Sequence, residues 1–440
     1  MQTYFYQLAD HLHNQTHVGE TFLAYLSAED SNFVRFNKNA VRQAGSVKQM
    51  YLSVSLIAND RRADTTLSLT GEAGQDQSMC DASLAQLRLT LLSLPADPYL
   101  LYNIEPASSE HIGNASLPAD DAMLGEIIRA GNKRDLVGIY ASGAIYKGFA
   151  NSLGQRNWHR VDNFNFDWCL YHAADKAVKN SYTGTHWEGA AFTQKMQSSI
   201  EQLNVLQRPA KTLAPGQYRA YLSPSALGEV VGLLSWGGFG AKSQRNKQSP
   251  LLKLEDGSAR LNAAISLTEA SQLGVAPMFN CDGFTKDAEV ELITNGQHRG
   301  ALISPRTAKE FNITTNGANA GETPESLSMA PGTLARDEVL KTLDTGLLIG
   351  NLWYLNYSDR GNCRMTGMTR FATFWVENGE IQAPLNVMRF DDSVYRVLGD
   401  NLLGLTRECD WLMDAGSYGE RSTDSARLPG AVVKDFSLTL

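Results

Sequence analysis

Phe374-Trp375-Val376-Glu377-Asn378-Gly379-Glu380-Ile381 reads as a β-hairpin. Aromatic and β-branched residues flank an Asn-Gly pair, which accepts the positive φ angles of a tight two-residue turn. Outward from it, residues 347–387 are strand-rich. Residues 334–343 read as a helix. Residues 312–331 are rich in Asn, Gly, Thr and Ser and predict a mobile loop. Ser304-Pro305 opens a short helix, strand and turn patterns dominate 250–304, and 224–235 is an apolar helix with Pro224 near its start.

Earlier in the chain, residues 3–15 have helical spacing. A meander follows over 20–26, 32–44, 49–58 and 65–69. Residues 79–94, 119–130 and 188–206 predict helices, the last with Phe192, Met196, Ile200 and Leu203 on one stripe. Strand patterns fill 136–140, 145–149 and 164–173. Strands and helices mix without regular βαβ alternation, which indicates the α+β class. Two prolines and a glycine in 209–216 mark a boundary. The expected organisation is an N-terminal mixed sheet with helices over 1–208 and a strand-rich domain over 217–440.

The 440 residues allow a large core without disulfides or structural metals. The net charge of −8, from 47 acidic and 39 basic side chains, argues against nucleic-acid binding by phosphate neutralisation. No run of 18 apolar residues predicts a membrane span, and the first ten residues show no secretory pattern. The five cysteines are odd in number, far apart and without a CxxC pair, as in reduced cytoplasmic proteins.

Most chemical motifs read as ordinary structure. No histidine stands in an HExxH pattern. His13 and His17 are four apart and could share a helix face, but no third ligand stands nearby. Gly237-Gly238-Phe239-Gly240 lacks the rest of a phosphate-binding loop. Ser142 and Ser417 lack a nucleophile elbow. Cys363 has Arg360 and Arg364 within three residues, which could lower its pKa. The aromatic cluster from Trp158 to Tyr171 reads as strand core or a ligand-lining surface.

The stretch from 344 to 400 resembles the TldD/PmbA family, once called modulators of DNA gyrase and grouped with metallopeptidases. The residues that carry this are Asp344-Thr345-Gly346-Leu347-Leu348-Ile349, Asn356-Tyr357-Ser358-Asp359-Arg360-Gly361 and the hairpin quoted above, with Pro384. Leu136 to Gly143, Ala150 to Gly154, Leu428-Pro429-Gly430 and Val433 to Leu438 agree with it. The resemblance implies two halves. It also implies, in the TldD branch, an HExxxH helix whose two histidines and a later cysteine hold zinc, with the glutamate activating water.

Here the matching helix is Leu227-Gly228-Glu229-Val230-Val231-Gly232-Leu233. Gly228 and Leu233 stand at the histidine positions, Glu229 at that of the glutamate, and Tyr418 near that of the cysteine, with Cys409 nine residues earlier. This degenerate set places the chain nearer the PmbA/TldE branch. The resemblance then implies a non-catalytic cytoplasmic subunit with no metal of its own. Its partner would be a zinc-bearing TldD-type homologue in a heterodimer, or a second copy, acting on unfolded or leader peptides. The 312–331 and 236–242 segments would face substrate or partner. The alternatives are an independent hydrolase with another nucleophile or metal site, and a homodimeric peptide-binding scaffold.

Overall fold

The computed structural model describes residues 1–173 and 176–439. Its N-terminal half is a seven-stranded sheet of β1 (Thr21–Asn37), β2 (Ala40–Ala58), β3 (Arg61–Ser68), β4 (Ser109–Ile112), β5 (Asp135–Asn151), β6 (Arg156–Ala173) and β7 (Lys176–Gly184). The order is β3-β2-β1-β5-β6-β4, and β7 also pairs with β6. Among the described residues of this sheet, only β4 runs parallel to its neighbour.

The two faces of this sheet differ because side chains alternate along each strand. Even-numbered residues such as Phe22, Leu26, Phe36, Tyr140, Phe164, Phe166 and Trp168 are apolar and buried. Helices α1 (Gln2–Gln15) and α2 (Ala73–Ser93) cover one end of that face, through Phe5, Leu8, Leu12, Leu84 and Leu87. Helices α3 (Asp120–Ala130) and α4 (Gly189–Leu206) cover the other. Odd-numbered residues on the opposite face include Glu29, Ser31, Asn163 and Asn165, all buried although polar.

The C-terminal half holds an eleven-stranded sheet. Its strands are β8 (Gly216–Leu222), β9 (Leu267–Glu269), β10 (Val290–Thr294), β11 (Gln297–His298), β12 (Ser326–Met329), β13 (Gly346–Asp359), β14 (Arg364–Glu377), β15 (Glu380–Pro384), β16 (Arg389–Ser393), β17 (Leu402–Met413) and β18 (Ser425–Leu438). Strand β8 pairs with both β13 and β18, so β18, β16, β14, β13 and β8 close into a ring. Helix α5 (Pro224–Leu234) packs on it with Ala226, Leu227, Val230, Val231 and Leu234 buried. The Ser223 side chain accepts from the Ala226 amide and Pro224 sits in the first turn, which fixes the start of α5.

The two halves share a core. Ala372 and Phe374 of β14 join Trp168, Phe192 and Met196 in one apolar cluster. Returning the contact, the loop between β17 and β18 reaches into the polar face of the first sheet. Arg421 donates to Ser31, Gly143 and Asn163, and Glu420 accepts from Ser27.

The Asn-Gly hairpin is present: Glu377 pairs with Glu380, and Asn378 and Gly379 have φ of 53° and 76°. Two strands are longer than their patterns suggest. Residues 20–26 and 32–44 supply a single β1 and the start of β2. Residues 136–140 and 145–149 belong to one β5, which passes through Gly143 at φ 128°. A Cβ at Gly143 would lie 2.2 Å from the Asp30 carbonyl oxygen, so the glycine permits a close strand approach rather than ending a strand.

Two expectations are corrected. The 250–304 stretch carries only the short β9, β10 and β11, with irregular backbone and short helices elsewhere. The 312–331 segment is irregular but pinned rather than loose. Buried Glu322 accepts from the Lys242 and Ser304 amides at 2.8 and 3.0 Å, and Ser326–Met329 is strand β12.

Candidate functional site

Between the halves lies a cleft of about 560 Å³, and Glu229 is on its wall. Helix α5 contributes Ser225, Gly228, Glu229 and Gly232 to its lining, with Val231 and Leu233 bordering it from the core side. Facing them are Asp167 of β6 and Lys179 of β7. Lys179 Nζ is 3.3 Å from the Asp167 carboxylate. Glu229 is reachable from solvent, yet the cleft walls surround it. This enclosure raises its pKa above the usual carboxylate range, and Lys179 offsets part of the rise. Trp236, past the end of α5, is exposed and lines the same cleft, and Arg360 donates to its carbonyl.

A zinc ion on α5 would require nitrogen and sulfur donors at defined places. The residues present do not fit it. Gly228 has no side chain, and a Cβ built there would stand 3.0 Å from Leu412 Cδ1. Leu233 is 3 % exposed and part of the core. Tyr418 is fully exposed on the β17–β18 loop and does not line the cleft. Cys409, paired with Pro429 in the sheet, lines a different pocket of about 230 Å³, and burial raises its thiol pKa. Among the described residues no three His, Cys, Asp or Glu side chains are grouped to hold a metal ion.

The cleft continues into a larger cavity of about 880 Å³, with which it shares Asn165, Asp167, Lys179 and Asp414. Its floor is the polar face of β6. Asn163, Asn165, Asp167 and Cys169 all line it, while Phe164, Phe166 and Trp168 between them enter the core. The aromatic residues of this stretch single out its core side in the sequence, and the residues between them, which face the cavity, are not among the predicted candidates. The signal was present in Asn163-Phe164-Asn165-Phe166-Asp167-Trp168, a strict period of two. Asp167 is desolvated and its pKa raised, with Lys179 opposing.

The remaining candidates are not assembled into a reactive group. Cys363 is fully buried, and burial pushes its thiol up to about 12 despite Arg360. The arginine-lowered pKa is thus corrected, because desolvation outweighs the cationic neighbour. Ser142 Oγ donates to Asp120 at 2.8 Å. His17 falls beyond the end of α1 and so shares no helix face with His13. His11 pairs with Asp81 at 2.7 Å. His159 stacks on His111, and burial lowers its pKa to about 4. Among the described residues no helix is long and apolar enough to cross a membrane.

Residues 215–440 match the family model described as the PmbA/TldA metallopeptidase C-terminal domain. No curated protein matches. Among solved structures, the chain is similar to TldE from Thermococcus kodakarensis, with 12 % identity, a TM-score of 0.78, and 99 % of this chain and 100 % of that one covered. It is also similar to a protein from Thermotoga maritima described as a modulator of a DNA gyrase, with 15 % identity, a TM-score of 0.76, and 99 % and 100 % covered. A similarly described protein from Bacteroides thetaiotaomicron has 14 % identity and a TM-score of 0.72, with 99 % and 98 % covered. At these identities the likeness concerns the fold.

Proposed function

The chain belongs to the PmbA/TldD metallopeptidase family, and from that premise we propose that it is a non-catalytic, TldE-like subunit of a cytoplasmic zinc peptidase. A TldD-type homologue carrying HExxxH supplies the zinc in this reading, and the substrates are unfolded or leader peptides. The observation that carries it is the chemistry of α5. Glu229 is kept on the cleft wall, while Gly228 and Leu233 offer no donor and Leu412 packs where an imidazole would begin. A carboxylate alone does not hold zinc tightly, so the glutamate has no bound water to activate. The cleft remains as a surface that peptide can occupy beside the partner's site. Nucleic acid has no part in this reading.

The test is elemental mass spectrometry of the purified chain, alone and after co-purification with an HExxxH-bearing homologue. About one zinc per heterodimer, none in the lone chain, and peptide cleavage only by the pair are expected. Stoichiometric zinc or cleavage with the lone chain overturns the reading. A second reading, a homodimeric peptide-binding scaffold, draws on the cavity of about 880 Å³ that this chain encloses by itself. It predicts a homodimer and peptide affinity with no homologue present.

A further inference from the structure

The larger cavity holds a charge pattern and two orphaned polar atoms that the reading above does not use. Four cationic side chains line it, Arg35, Arg42, Lys179 and Arg421, against the carboxylates Asp167 and Asp414. This cationic surplus stands in a chain of net charge −8. Lys179 is neutralised by Asp167 at 3.3 Å. Arg421 is not neutralised in this way. It is 5 % exposed, and its partners are the uncharged Ser31 Oγ, the Gly143 and Asn163 carbonyls and the Asn163 side-chain oxygen. Glu29, whose carboxylate accepts from the Ser31 hydroxyl at 2.7 Å, and Asp162 act on it by charge alone, without an ion pair. Desolvation lowers the pKa of Arg421 to about 10, the mark of a cation that its neighbours compensate incompletely.

Beside Arg421 are Asn163, 0 % exposed, and Asn165, 7 % exposed. Asn163 Nδ2 and Asn165 Oδ1 are buried without a hydrogen-bond partner. Such atoms are uncommon in folded proteins, because a buried polar group left unpaired loses its hydration without replacement. One is a donor and the other an acceptor. They are two residues apart on one face of β6, a rise of about 6.8 Å. An extended peptide laid along the strand repeats its own N–H and C=O groups at that interval.

We propose that this cavity binds an extended peptide segment bearing a carboxylate, which pairs with Arg421 and the rim arginines Arg35 and Arg42 while its main chain meets Asn163 and Asn165. Both atoms are shut off from solvent in the unliganded chain, so the two amide side chains turn towards the cavity on binding; Asn163 Nδ2 then donates to a carbonyl or carboxylate oxygen, and Asn165 Oδ1 accepts from a peptide N–H. The guanidinium forks select a planar anion over a neutral group. The carboxylate is that of a C-terminus or of an Asp or Glu side chain. The choice of a peptide over other carboxylates rests on the reading above; the requirement for an anion does not. Binding to the lone chain is measured without zinc or turnover, so either idea can fail while the other stands.

Isothermal titration calorimetry of the intact chain with three unlabelled heptapeptides of Ala, Ser and Gln tests this. One ends in an amide and has no acid, one ends in a free carboxylate, and one is an amide with a central Glu. At least one carboxylate peptide is expected to bind about tenfold more tightly than the neutral amide, or better. The tighter of the two identifies the source of the anion. Arg421→Gln and Arg42→Gln are each expected to remove most of that advantage, and Arg421→Lys part of it. Asn163→Leu should weaken all peptides alike. Should Arg421→Gln fail to fold, the exposed Arg35 and Arg42 carry the test. Equal affinity for all three peptides, no measurable binding, or an advantage unchanged in Arg42→Gln/Arg35→Gln overturns the proposal.

Discussion

Leu412 of β17 presses on Gly228 of α5: a Cβ on the glycine would lie 3.0 Å from Leu412 Cδ1. Any side chain on residue 228 therefore requires the Leu412 methyl to give way. Placing an imidazole there overpacks the contact. Gly228→His is expected to destabilise the protein by about 1–3 kcal/mol. Combining it with Leu412→Ala should return part of that loss, with a coupling of about 1 kcal/mol in a double-mutant cycle. Strictly additive changes in denaturant unfolding would show that the two side chains do not compete for this space.

Glu229 titrates above the usual carboxylate range because the cleft walls desolvate it. A raised folded-state pKa means that its contribution to stability is fully present below the unfolded value and is lost as pH rises through the folded one. Glu229→Gln should therefore gain on the parent as pH climbs from 4 towards neutrality. Lys179→Met should raise the Glu229 pKa further, since Lys179 opposes the shift. Carboxyl-carbon NMR titration reads both effects, and a Glu229 midpoint at or below that of a model glutamate would refute the assignment.

A second acidic group sits beneath β12. Burial raises Glu269 to about 7 and Asp424 to about 6, and Glu325 adds repulsion to both. Glu269 Oε1 accepts from the Glu325 and Ser326 amides, while its Oε2 has no partner. Both pKa values are raised, so stability falls as pH rises through the window from about 4 to about 7. Relative to the parent, Glu269→Gln should flatten the fall in Tm between pH 5.5 and pH 8. Lys286→Met removes the ammonium 2.6 Å from Glu325 and should steepen it. Parallel Tm profiles for parent and Glu269→Gln would contradict the burial of this charge.

Cys363 should behave as packing. With its thiol up at about 12 and no solvent exposure, it is expected to resist iodoacetamide in the native protein and to react once unfolded. Cys363→Ala should cost roughly 1–2 kcal/mol of stability through the cavity it leaves and leave any peptide binding unchanged. Rapid native-state alkylation at this residue would revive it as a nucleophile.

What the sequence made legible follows its local patterns. The Asn378-Gly379 turn, the stripe of α4 and the Ser223-Pro224 start of α5 are written in neighbouring residues, and each is present. The helix that carries Glu229 could be located by resemblance. That Glu229 faces a cleft could not, because the opposite wall, Asp167 and Lys179, comes from the other half of the chain. The anchoring of 312–331 was hidden for a related reason. A polar, glycine-rich composition looks loose until one buried carboxylate, Glu322, is seen to collect amides from two distant segments. Aromatic residues in β6 drew attention to the core side, although the alternation that buries them also arms the opposite side with amides.

The apolar cluster that spans both halves has a consequence for how the chain can be divided. Phe374 lies among Trp168, Phe192 and Met196, and Arg421 is embedded in the first sheet from the far end of the sequence. Cutting the connecting segment 209–216 would sever the polypeptide but not these contacts. The pieces should stay together as a nicked protein that melts in one transition. Expressed separately, each would carry an unfinished surface, so the two halves are mutual chaperones rather than interchangeable modules.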